Sequence, residues 1–190
     1  MKHFQRDLIL ATIMVLISSA ECLAQRQPRT PRRIVVSIPD CKLALVEDDQ
    51  VLKVYSTSVG TPSSPSPTGE FTVSQRIDQP AYYRPGKVIP PGKANPLGTR
   101  WLGLSLKGFG IHGTNEPRSI GKHRSHGCIR LRNRDIEELF KLVSIGDVVE
   151  LHGEINQRVQ GIFKNSNSSS GTSNRSSTSI ATAIAGQVIN

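Results

Sequence analysis

The segment "IHGTNEPRSIGKHRSHGCIRL", residues 111–131, holds three of the five histidines and one of the three cysteines. His112 closes an apolar run, "FGIH", and Cys128 opens another, "CIRL", directly after the turn-like "SHG". Two strand ends in one sheet can lie side by side, which would bring an imidazole next to a thiol. A free thiol has a pKa of about 8.5 and attacks carbonyls only as thiolate. A neighbouring imidazole can take that proton and return it to a leaving amine. Gly127 lets a substrate backbone approach, and the amides around Gly127 and Cys128 can donate to an oxyanion. Two other chemistries fit the same residues. His123, His126 and Cys128 have the spacing H-x2-H-x-C, which with His112 could ligate zinc, although alternation near a strand start points neighbouring side chains apart. A disulfide between Cys128 and Cys41 is the other, and it leaves the histidines without a role.

The elements that position these residues read as mostly β. "RIVVSI", "KLALVE", "VLKVYSTSVG", "EFTVSQRI", "RWLGLSL", "GFGIHG" and "DVVELHG" are short apolar or alternating runs separated by turn residues. "EDDQ" is a turn and "TPSSPSPTGE" a loop. Residues 79–98, "QPAYYRPGKVIPPGKANPLG", carry five prolines and cannot stay regular for long. A loop of that length in a compact domain is usually functional or disordered. Trp101, the only tryptophan, is expected to anchor the core. One α-helix is clear, over about 133–143: Asn133 stands at a capping position, and Ile136, Leu139, Phe140 and Val143 form one apolar face.

Composition sets the compartment. Lys2 and Arg6 precede an apolar run, Leu8–Ala20, of 13 residues, the length of a signal-peptide core and short for a membrane span. The expected organisation is a signal peptide over 1–24, a basic Pro/Arg-rich linker over 25–32, one domain over 33–160 and a Ser/Thr/Asn-rich disordered tail over 161–190. Export makes two cysteines, Cys41 and Cys128, a disulfide candidate. The net charge of +9 is scattered, without the arginine–aromatic stripe of a nucleic-acid binder. It suits an acidic envelope surface or a carboxylate-bearing substrate.

"HGTNEPRSIGKHRSHGCIRLRNRDIEELF" resembles the signature of the L,D-transpeptidase catalytic domain family (YkuD). That signature is a His, a gap of a little over a dozen residues, then Ser-His-Gly-Cys with an apolar residue and Arg or Asn. Here these are His112, Ser125, His126, Gly127, Cys128, Ile129 and Arg130. "TPSSPSPTGEFTV" and "NPLGTRWLGLS" resemble the family's flanking segments, so the similarity covers roughly Arg33 to Leu151. The resemblance implies a β-sandwich with the site at one end, and an exported bacterial envelope enzyme. Cys128 is then the nucleophile on a peptidoglycan tetrapeptide stem, forming a thioester with release of D-alanine. His112 is the base and acid, and the backbone carbonyl of Gly113 orients its ring. His126 lines the pocket. Ser125 holds the turn or polarises His126. Arg130 positions a substrate carboxylate or braces the loop, and His123 is a surface loop residue. No metal or organic cofactor is implied. The acceptor is a second stem, an envelope protein amine, a D-amino acid or, in the carboxypeptidase alternative, water; a monomer is expected. The rival outside enzymes is an envelope-binding domain closed by a Cys41–Cys128 disulfide.

Overall fold

The computed structural model describes residues 32–169. The signal-peptide reading over 1–24 and residues 25–31 and 170–190 lie outside that span.

Strands β1 (Arg33–Ser37), β2 (Lys42–Glu47) and β3 (Gln50–Ser56) form an antiparallel meander. Asp48 and Asp49, both at positive φ (48° and 59°), make its second turn. Two successive positive φ values give the type I′ geometry whose twist matches that of the paired strands. The third strand read in the sequence breaks after Ser56. Thr57 and Ser58 are fully buried, and β4 (Val59–Gly60) pairs with a separate strand, β10 (His123–Ser125). Beyond the proline loop, β5 (Gly69–Asp78) is the longest strand, and the segment rich in prolines folds back as a small hairpin of β6 (Tyr82–Arg84) and β7 (Lys87–Ile89). Strands β8 (Arg100–Leu104) and β9 (Gly110–His112) follow, then β11 (Ile129–Arg130) and β12 (Val148–His152).

Eight strands join one mixed sheet in the order β11-β9-β8-β5-β12-β1-β2-β3. One core cluster collects side chains from both halves of that sheet, among them Ile34, Leu43, Leu45, Leu102, Ile111 and Ile129. The sheet therefore curls over its own apolar face, which gives the sandwich-like layering expected from the sequence with one continuous sheet. Helix α1 (Asn133–Leu142) seals this core with Ile136 and Leu139, both fully buried. Its cap residue is Arg132, and Asn133 is already helical, with its side chain turned elsewhere. Arg32, read as the last linker residue, belongs to the domain. Its guanidinium holds Glu47 at 2.7 Å and the carbonyl of Leu142 at the end of α1.

A second helix, α2 (Gln157–Ser169), runs into the segment read as a tail beginning at residue 161. Its stripe of Val159, Ile162 and Phe163 covers the outer face of β1 and β2, packing on Val35, Ala44 and Val46. This is why "IVV" and "LALV" are apolar without alternation: those strands are buried on both faces. Each buried aromatic or valine contributes about 1.5–3 kcal/mol, enough to order a helix that its serines and asparagines alone would not hold.

Candidate functional site

Strands β9 and β11 run parallel, with Ile111 opposite Ile129 and His112 opposite Arg130. Ile111 and Ile129 point into the core. By strand alternation, His112, Arg130 and Cys128, one position before β11, share the opposite face. His112 and Cys128 line one cleft of about 830 Å³, together with Trp101, His126 and the β6–β7 hairpin. The sequence reading of two strand ends side by side is what the sheet register builds.

The turn that presents Cys128 is tightly held. Ser125 is 1% exposed. Its hydroxyl donates to the Cys128 carbonyl at 2.5 Å and accepts the Gly127 amide at 3.1 Å. Ser125 thus staples the turn, and the Gly127 amide, one of the two expected oxyanion donors, is already engaged. Gly127 has φ 108°, and a Cβ there would come within 2.7 Å of the Phe109 ring; both conformation and space demand glycine. On the far edge, Ser58 exchanges two backbone hydrogen bonds of 2.8 Å with Arg130, so β11 is braced from both sides.

His112 is buried, with Trp101 stacked on it at 5.6 Å between ring centroids. Trp101 faces His112 across the β8–β9 ladder, so the tryptophan expected in the core instead forms a wall of the site. Nδ1 of His112 meets the Gly113 carbonyl at 2.6 Å. An Nδ1–H donated there leaves Nε2 with its lone pair. Burial lowers the His112 pKa to about 4, against the Gly113 carbonyl, which raises it; the Arg130 cation lowers it further, and the Leu97 carbonyl raises it. Burial likewise pushes the Cys128 thiol up, opposed by a Gly110 backbone hydrogen bond and by Arg130. At rest the pair is therefore a thiol and a neutral imidazole. Arg130 pairs with Glu116 at 3.2 Å, which braces the segment between His112 and Cys128.

The remaining sequence candidates separate. His126 is exposed at the cleft wall. His123 lies on β10, rather than in a loop, and turns Nδ1 to the Gly60 carbonyl at 3.2 Å. Among the described residues no three His, Cys, Asp or Glu side chains gather as a metal-ligand group. Cys41 and Cys128 are both free thiols. Cys41, at φ 50°, is buried in the β1–β2 turn within the main core cluster, so the disulfide alternative is not what the structure contains.

The site roles of two asparagines escaped the sequence reading, which took Asn133 only as a helix cap. Asn133 places Oδ1 on the Thr114 amide at 3.0 Å, beside Gly98 and Gly113, where a Cβ at either would lie within 2.2 Å of it. Asn95 is fully buried under the proline-rich segment; its amide reaches the carbonyls of Pro80, Ile89 and Pro90, and its Oδ1 accepts the Leu97 amide at 2.8 Å. The available signal for Asn133 was its place five residues after Cys128, which also suited a helix cap.

A thiol and a neutral buried imidazole facing one cleft, on a curled mostly-β sheet, form a site that can carry acyl transfer. The L,D-transpeptidase catalytic domain (YkuD) matches residues 31–151, and the chain belongs to that family of transferases. It is similar to two Bacillus proteins named as L,D-transpeptidases: YqjB of Bacillus subtilis, 35% identical over 72% of this chain and 80% of the relative, and YkuD of Bacillus licheniformis, 41% identical over 66% and 69%. Among solved structures, the fold is like that of an L,D-transpeptidase from Mycobacterium smegmatis, with TM-score 0.56 and 22% identity over 65% of this chain and 59% of that one. The L,D-transpeptidase LdtMt1 in complex with imipenem gives TM-score 0.55 and 21% identity over 65% and 59%. This chain thus spans under two thirds of the length of those solved chains.

Proposed function

We propose that the chain is an exported peptidoglycan L,D-transpeptidase working through Cys128. The thiol attacks the carbonyl between the L-centre and the terminal D-residue of a tetrapeptide stem. His112 takes the thiol proton on Nε2 and delivers it to the departing amine. The S–C bond forms, the C–N bond breaks and D-alanine leaves. An amine acceptor then attacks the thioester, giving up a proton through the same imidazole, and the thiol is regenerated. The Cys128 amide supports the oxyanion, since the Gly127 amide is spent on Ser125. Ser125 and Gly127 shape the nucleophile turn, the Gly113 carbonyl selects the ring tautomer, Arg130 biases both titrations, and His126 borders bound peptide.

The observation that carries this reading is the parallel register of His112 against Arg130, which aligns Cys128 and His112 on one face of one cleft. Envelope action also accords with the basic, apolar N-terminal segment; among the described residues no helix is long and apolar enough to cross a membrane. The test is intact-mass measurement of the protein incubated with a stem tetrapeptide, without and with an amine acceptor. A mass gain equal to the stem minus D-alanine, lost on Cys128→Ala and discharged by the amine into a cross-linked product, supports the proposal. Discharge only to the free acid, whatever amine is present, would make the protein a carboxypeptidase.

A further inference from the structure

Among the described residues, Glu116 is the one carboxylate on the wall of the catalytic cleft. Its Oε2 accepts a hydrogen bond from Nη1 of Arg130 at 3.2 Å. The Glu116 side chain is 68% exposed and that of Arg130 14%, so the pair adds little to stability. The backbone of Glu116 is nevertheless pinned from both sides. Its amide donates to the Thr114 hydroxyl at 3.0 Å, and its carbonyl accepts the Ser119 hydroxyl at 2.7 Å and the Ser119 amide at 2.9 Å. Thr114 and Ser119 are both buried. One residue earlier, the Asn115 side chain donates to the Ala94 carbonyl at 3.1 Å. An exposed carboxylate on so fixed a root is held toward Arg130.

Arg130 stands opposite His112 in the parallel ladder and two residues after Cys128. Paired strands lie about 4.8 Å apart, whereas two residues along a strand span about 6.6 Å. The cation is therefore nearer to the base than to the nucleophile. Its charge acts on both, favouring the thiolate and opposing the imidazolium. Acyl transfer needs that imidazolium between removal of the thiol proton and its delivery to the leaving amine. Two adjacent cations in a site partly shielded from water repel one another, and at the shorter spacing this cost outweighs the help to the thiolate. A carboxylate on the guanidinium reduces it. The other titratable or charged groups of the cleft wall, Tyr82, Tyr83, Arg84 and His126, offer no negative charge near neutrality. Behind Glu116 stand the exposed cations Arg118, Lys122 and Arg124.

We propose that Glu116 is a positioning residue for acyl transfer that acts through Arg130: its carboxylate offsets the guanidinium charge, so that the imidazolium of His112 can form beside it. The inference rests on the acyl-transfer reading above. No bond or proton passes through Glu116. It sets the charge that the thiol–imidazole pair meets while the proton is on the ring, so its effect belongs to the rate of acylation and not to the binding of the peptide.

The experiment follows acylation of Cys128 by the stem tetrapeptide, as covalent mass gain against time, across pH and peptide concentration. It compares the parent with Glu116→Gln, Glu116→Asp, Arg130→Gln and the double variant Glu116→Gln/Arg130→Gln. Glu116→Gln keeps an acceptor for Arg130 and removes the charge. Its maximal acylation rate should fall by about two- to fivefold, the scale of an exposed pair. KM should stay at the parent's value, and the profile should move to lower pH, because an unanswered Arg130 lowers both members of the pair. Glu116→Asp should recover most of the rate, and added salt should narrow the gap between parent and Glu116→Gln. In the Arg130→Gln background the Glu116 change should have no further effect. A Glu116→Gln rate and profile equal to the parent's overturns the proposal. So does a defect in KM alone, a profile carried to higher pH, or a defect that persists without Arg130. A parent that forms no acyl-enzyme overturns the acyl-transfer reading and this proposal with it, and is told apart because the failure already shows before any substitution.

Discussion

Oδ1 of Asn133 accepts the Thr114 N–H at 3.0 Å, and that N–H belongs to the same peptide unit whose carbonyl, that of Gly113, faces Nδ1 of His112 at 2.6 Å. The peptide plane is therefore held at both ends. Its rotation would break one hydrogen bond or the other, so helix α1 fixes the tautomer of a histidine on another strand. Gly98 and Gly113 leave the room in which the Asn133 side chain sits.

Asn133→Ala frees that plane. Acylation of Cys128 is expected to fall by about 10–100-fold, the usual cost of a small misplacement of a reacting group. Asn133→Asp keeps the acceptor and adds a negative charge near His112, which favours the imidazolium. That variant should recover most of the rate at alkaline pH but show its acid limb shifted upward. A pH profile identical to the parent's in both variants would leave Asn133 with a packing role only.

Cys128→Ser keeps the shape but removes the readily ionised sulfur. A folded protein with no detectable mass gain from stem peptide is expected. Arg130 tests the electrostatics of the same pair. Its cation lowers both the His112 and the Cys128 pKa, so Arg130→Gln should move both upward and carry the acylation profile to higher pH, while Arg130→Lys should hold it near the parent's. A profile moving to lower pH in Arg130→Gln would contradict the charge assignment.

The depressed His112 pKa also fixes the sign of a stability effect. With about 4 in the folded state and about 6.5 unfolded, the unfolded chain binds the extra proton between those values. Stability from this group is complete above about pH 6.5 and is lost as pH falls toward 4. The difference is about 2–3 kcal/mol at pH 4.5. Urea unfolding of the parent and His112→Gln at pH 7 and 4.5 measures it: the parent should lose that much more on acidification. Equal losses would mean that His112 is not buried as a neutral ring.

Much of this site could be read from residue types. The spacing of His112 to Cys128 and the strand-like "FGIH" and "CIRL" pointed to adjacent strand ends, and the register bears that out. What escaped depended on long-range pairing. Trp101 belongs beside His112 only because β8 and β9 align them, and nothing local distinguishes it from a core tryptophan. Asn133 suited a helix cap by every local rule, yet its acceptor serves a loop 19 residues earlier. Helix α2 was hidden because Val159, Ile162 and Phe163 sit among polar residues, and only the two-sided burial of β1 and β2 reveals what they cover. "IVV" and "LALV" already lacked alternation, and that was the signal for a missing cover.

The segment over residues 80–98 is expected to act as a partial lid on the donor side. Its hairpin walls the cleft, yet Tyr83 is 73% and Val88 59% exposed. These two apolar side chains face each other across the hairpin with little beneath them. Order comes instead from the base, where buried Asn95 holds the carbonyls of Pro80, Ile89 and Pro90. The tip can therefore be removed without disturbing the anchor. Replacing Tyr83–Val88 by Gly-Gly should change Tm far less than a core substitution would, since all six positions are exposed. The same change should raise the KM for stem peptide or lower kcat by several-fold, because a wall that orders the peptide and excludes water is lost. Asn95→Ala should differ in its effect on stability. It strands buried polar groups at about 1–3 kcal/mol, so Tm should fall, and the kinetic defect should follow the loosened base. Thermal melts and steady-state kinetics on both variants separate tip from anchor, and unchanged kinetics after removal of the tip would retire the lid.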